Sequence, residues 1–127
     1  CSGCDQVRGR GGALGPDLTA IGSARSREAL TTALREPSAV VALGFRAAKF
    51  RAGGELVEGA VKGEDAFSLQ VMTVDSELRA FPKRGLAELD RSAKSLMPVF
   101  DEGKLSDAEL EDLLAYLGTL RGAQRNP

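Results

Sequence analysis

The chain has 127 residues, 43% of them hydrophobic and 28% charged, with a formal net charge of −1. That is the composition of one globular domain or two small modules. The balanced charge argues against a nucleic-acid surface or a basic membrane patch, and no apolar run approaches the ~20 residues that span a bilayer.

Five Phe, one Tyr and no Trp leave a core built of Leu, Val, Ala and Ile, thin in aromatic area. A bound apolar cofactor would compensate. The opening "CSGCD" sets two thiols at C-x-x-C spacing, and the glycines of "VRGRGGALGPDLTAIG" predict loop through residue 22. Ser26 is a good N-cap for a helix in which Leu30, Ala33 and Leu34 share a face, and Pro37 ends it.

From about Gly44 to Leu89 the pattern turns to strands. Gly53–Gly54 is a hairpin signal between two alternating runs, and Asp75–Ser76 is a weaker turn. Leu69, Val71 and Thr73 fall on one face, Gln70 and Met72 on the other, as in a half-buried antiparallel sheet. Three to five short strands here predict a small meander or partial barrel.

The segment "KLSDAELEDLLAYLGTLRG" is the clearest helix. Ser106 and Glu109 form a capping box, and Leu110, Leu113, Leu114, Leu117 and Leu120 make one apolar stripe. Gly118 predicts fraying near its end, Gly122 a C-cap, and "AQRNP" a frayed tail.

Two thiols at this spacing suit a zinc half-site, a dithiol redox pair or haem attachment. A zinc site wants four Cys or His ligands, and the chain holds two Cys and no His. A thioredoxin-like pair sits at a helix start after a strand, whereas a glycine-rich loop follows here. Gly11, Gly12 and Gly15 do not read as a phosphate loop, because no strand precedes them and no G-K-[ST] follows. Met72, within a strand pattern, reads as packing. Asp5, taken alone, reads as an exposed residue after a turn.

In order along the chain stand "CSGCD", "GALGPDLTAIG", "KSLMPVF" and the amphipathic final helix. That arrangement resembles class I c-type cytochromes. More narrowly, "GPDLTAIGSARSREALTTALREPSAVV", a β section and then "SLMPVFDEGKLSDAELEDLLAYLGTL" look like the haem-binding domain abundant in Planctomycetes and Verrucomicrobia. The resemblance implies an α+β fold, a cytochrome c-like helical domain interrupted by a small antiparallel β insert. Its parts would be residues 1–43, the insert at 44–91, and a methionine loop with C-terminal helix at 92–127.

The resemblance also implies a haem c bound through Cys1 and Cys4, with the Pro16 carbonyl near one axial ligand and Met97 as the other. In that family a histidine follows the second cysteine; here Asp5 occupies its place. A carboxylate is a harder ligand that binds ferrous haem poorly, and the Pro16 carbonyl is left without the imidazole N–H it would orient. Leu14, Leu18, Ile21, Leu30, Leu34, Val99 and Phe100 would line a haem crevice, or equally form a plain core.

Three functions follow as expectations. The first is a non-enzymatic electron-transfer domain in a periplasmic or otherwise extracytoplasmic setting. It would serve a redox partner protein or a fused dehydrogenase, with Met97 on one side of the iron and Asp5, water or nothing on the other. The second is a haem-free structural or interaction module that has lost its cofactor site. The third is a five-coordinate haem with an open face for a small gas.

Overall fold

The computed structural model of the protein describes residues 1–91 and 94–123. The expected boundary at 91/92 and the expected frayed tail therefore touch residues outside the described ones. The glycine-rich start, expected as loop, contains a small hairpin of β1 (Gln6–Val7) and β2 (Arg10–Gly11). Two helices follow, α1 (Ile21–Ala24) and α2 (Arg27–Arg35). Then come β3 (Ala47–Ala52), β4 (Glu55–Glu64), β5 (Ser68–Thr73), β6 (Leu78–Pro82) and β7 (Leu86–Asp90), and finally α3 (Asp107–Thr119).

The five longer strands form one antiparallel sheet in the order β6-β5-β4-β3-β7. β3 to β6 are a meander, and β7 returns to the far side of β3. Only residues 83–85 separate β6 from β7. In a flat sheet those strands would lie four spacings apart, about 19 Å, while the chain from Pro82 to Leu86 reaches at most about 14 Å. The sheet must therefore curl.

The aromatic contact agrees. Phe50 on β3 and Phe81 on β6 are three strands apart, yet their rings meet edge to face with centroids 5.0 Å apart. Around them Ala48, Val57, Leu69 and Val71 are buried. At the rim, Glu64 on β4 meets Lys83 of the short link at 3.4 Å and also pairs with Arg91. The expected partial barrel forms, with five strands. The alternation of Leu69, Val71 and Thr73 is seen directly, all three buried while Ser68, Gln70 and Met72 are half-buried.

The helices build a second, separate core from Leu30, Leu34, Leu110, Leu114, Leu117 and Leu120. Ser26 caps α2 by accepting from the Ala29 N–H, and α3 carries the expected Ser106–Glu109 capping box. Arg35, at the end of α2, donates to the carbonyls of Phe100 (2.9 Å) and Leu105 (2.6 Å) and pairs with Asp107 at 3.1 Å. It pins the stretch that leads into α3. Gly118 does not mark fraying: α3 runs through it to Thr119, and the Gly22 N–H of α1 donates to the Leu120 carbonyl at 2.8 Å.

The architecture overturns the expected fold class. The chain is β-rich, a curled five-stranded sheet plus a hairpin with three short helices, and not a cytochrome c-like helical domain carrying a small insert. The reason lies in the middle of the chain, where residues 47–90 form five strands, one of them ten residues long, with clear alternation of burial in β3 and β5. Those strands enclose the most deeply buried large side chains, Phe50, Leu69 and Val71. The helical pieces, of 4, 9 and 13 residues, are the smaller part.

Phe50→Ala removes the ring at the centre of the curl. It is expected to cost about 3–5 kcal/mol in urea unfolding, whereas the exposed Leu56→Ala stays within about 0.5 kcal/mol of the parent.

Candidate functional site

The first five residues form a tight turn in which the Cys1 carbonyl accepts from the N–H groups of Cys4 (2.9 Å) and Asp5 (2.8 Å). The glycine-rich segment wraps it closely. The Gly12 N–H donates to the Ser2 carbonyl and the Gly15 N–H to the Cys4 carbonyl, at 3.2 and 2.7 Å. A Cβ on Gly12 would fall 2.1 Å from the Gly3 carbonyl oxygen, and one on Gly15 would fall 1.9 Å from Asp5 Oδ1. Close approach of backbone requires glycine at position 12, whereas a side chain at position 15 would displace the Asp5 carboxylate. Backbone bonds thus hold the turn, and both thiols remain free and exposed.

Beside the turn lies a cleft of about 700 Å³. Val7, Leu18, Leu113 and Leu117 give it an apolar floor, with Tyr116 at its side. Cys1, Asp5, Arg8 and Arg10 contribute the polar groups. Leu113 and Leu117 arrive from the apolar stripe of α3, so the helix that closes the core also lines the cleft. The cleft is half open to solvent, apolar at its floor and polar along its walls.

Of the expected site residues, the structure brings Cys1 and Asp5 to this cleft. Cys4 sits in the same turn, exposed. Pro16 lies close by, but its carbonyl accepts the Gln6 N–H at 3.1 Å, next to a short parallel bridge between Gln6 and Asp17. Met97 is elsewhere: it packs against the helical core with Phe100 and Leu105 and is not among the cleft's lining residues. Of the residues expected to line a haem crevice, Leu18 lines the cleft. Leu30 and Leu34 are buried in the helical core, Ile21 and Phe100 pack on it, and Val99 is half-exposed.

Asp5 is half-buried, and loss of solvent around its carboxyl raises its pKa above the ordinary carboxylate range. Among the described residues, no three Cys, Asp or Glu side chains converge as a metal cage. No helix among them is long and apolar enough to cross a membrane.

Sequence reasoning missed Arg8, Arg10 and Tyr116 as cleft residues. Arg8 and Arg10 were hidden because "VRGR" reads as loop; in fact the Arg8–Gly9 pair forms a two-residue hairpin turn, with positive φ at both. The alternation of Val7 and Arg10 about that turn was the available signal.

No family model matches the sequence, and no curated protein matches it. Together with the β-rich architecture, this overturns the resemblance to class I cytochromes and to the Planctomycetes and Verrucomicrobia haem-binding domain.

A carboxyl with a raised pKa holds its proton more tightly in the folded chain than in the unfolded one. Its burial is then least costly below the unfolded pKa, and the cost grows as pH rises through the folded one. Asp5→Asn abolishes this titration. Thermal melts are expected to show the variant gaining on the parent as pH rises from about 4, with the difference vanishing toward pH 3.

Proposed function

We propose that the chain is a non-enzymatic electron-transfer module that holds a c-type haem in the cleft beside the Cys1–Asp5 turn. The observation that carries this reading is a pair of free thiols, three residues apart, of which Cys1 lines a cleft of about 700 Å³ with an apolar floor and Cys4 sits in the adjoining turn. Cys1, on the cleft, and Cys4, in the same turn, are the thiols that would hold the ring, each through a thioether. Val7, Leu18, Leu113 and Leu117 would exclude water from one face of the ring.

The donor set fits attachment better than it fits two-sided ligation. Asp5 is the carboxylate on the cleft; no imidazole exists in the chain, and Met97 packs against the helical core and does not line the cleft. When bound, haem supplies a one-electron couple whose potential follows its axial ligands and the polarity around it. The chain's own part is to attach the ring, shield one face, and present a carboxylate near the turn. The partner would be a redox protein or a fused dehydrogenase domain, in a periplasmic or otherwise extracytoplasmic setting where c-type attachment takes place.

A second reading is favoured by the position of Met97 and the missing imidazole. In it the cleft binds a ligand without attachment, and the chain is a haem-free interaction module.

Intact mass and an absorption spectrum, on protein made with c-type maturation machinery, separate the two. The expected result is a mass increment of one haem with a Soret band, lost together in the Cys1→Ala/Cys4→Ala double variant. Asp5→His is expected to raise the loaded fraction, because imidazole is the stronger iron ligand. An unmodified mass for both the parent and Asp5→His would sink the haem reading.

A further inference from the structure

The Cys1 carbonyl accepts from the N–H groups of both Cys4 and Asp5, at 2.9 and 2.8 Å. A bond from residue i+3 to residue i closes a turn whose end Cα atoms lie within about 7 Å of each other. The further bond from residue i+4 makes the turn one helical winding, in which side chains three apart share a face. A disulfide asks for Cα atoms about 4.4–6.8 Å apart. The backbone thus holds Cys1 and Cys4 within reach of each other, while both thiols are free and exposed.

The turn is also gripped from outside. No helix follows the pair, since the next residues form the β1–β2 hairpin. Instead the Gly12 N–H donates to the Ser2 carbonyl and the Gly15 N–H to the Cys4 carbonyl. Both bonds land on the segment that a Cys1–Cys4 bond would close. With its ends already fixed near each other, that closure costs little further chain entropy.

We propose that the Cys1–Cys4 turn is a thiol–disulfide exchange site whose co-reactant is an organic disulfide. One cysteine loses its proton to solvent, its thiolate attacks one sulfur of that disulfide, and the other sulfur leaves as a thiolate. The second cysteine, deprotonated in turn, attacks the mixed disulfide and expels the remaining thiolate. The chain gives up two protons and two electrons and gains the Cys1–Cys4 bond. The co-reactant takes both electrons and, from solvent, two protons, and becomes two thiols. This goes beyond the haem reading, because it concerns the chain without haem; thioethers would consume both thiols.

The test uses the full chain made without c-type maturation machinery, reduced and then equilibrated with glutathione and glutathione disulfide. Samples are quenched in acid and read by intact mass. The expected product is a monomer lighter by two hydrogens and free of glutathione, which returns to the dithiol when excess reduced glutathione is added. Cys4→Ser is expected to stop at a mixed disulfide on Cys1. In urea, where the turn is lost, the internal bond is expected to be less favoured by about tenfold. By linkage, the oxidised chain then melts above the reduced one.

Glutathione adducts on both cysteines, disulfide-linked dimers, or an internal bond no more favoured in the folded chain than in urea would overturn the proposal. Failure to load haem in maturing cells would leave it standing. Failure of the exchange, in turn, would leave the haem reading to its own mass and Soret measurement.

Discussion

The leucine stripe of α3 is the constraint on which the cleft side of the molecule depends. Leu110, Leu114 and Leu117 are buried against Leu30, Leu34 and Leu120, and full burial of each such side chain contributes about 1.5–3 kcal/mol. The same helix turns Leu113 and Leu117 toward the cleft. Floor and core are thus one element, and a change that tilts α3 would reshape both. Arg35 fixes the approach to α3, and the bond between Gly22 and the Leu120 carbonyl fixes its end, so the helix is held at both termini.

The sheet is stabilised on different terms. Its core is closed by curvature, because a three-residue link cannot span a flat five-stranded sheet, and the Phe50–Phe81 contact fills the space so enclosed. The two cores touch only lightly. The link between the glycine-rich segment and the β5–β6 turn is a bond of 3.4 Å from the Ala13 N–H to Ser76 Oγ, and a bridge joins Arg46 to Ser95. The cleft chemistry therefore belongs to the helical side and the hairpin.

Much of the local structure was legible in the sequence. The capping box at Ser106, the stripe of α3, the Gly53–Gly54 hairpin and the alternation at Leu69 to Thr73 are each set by neighbours a few residues away, and each forms where periodicity places it. The weighting of the whole was not legible. Motif order suggested a helical domain, but motif order says nothing of how many strands a stretch of alternation yields or how far they close.

The site divides in the same way. Cys1 and Asp5 reach the cleft because sequence adjacency puts them in one turn. Met97 does not, because its position depends on how the loop before α3 packs, a long-range outcome. Arg8 and Arg10 went unseen because a two-residue turn inside "VRGR" lacks the Asn-Gly or Gly-Gly signature that usually announces one.

Lys49 on β3 and Asp90 on β7 are paired neighbours, so the chain leaves the sheet beside the place where it enters. This ties the two parts of the chain together at one place. The contacts between α2 and α3 otherwise require closing a loop that contains the whole sheet, and loop closure costs more as the loop lengthens. Once β3 and β7 pair, that loop is short-circuited, and the two helices are left to meet across a short span.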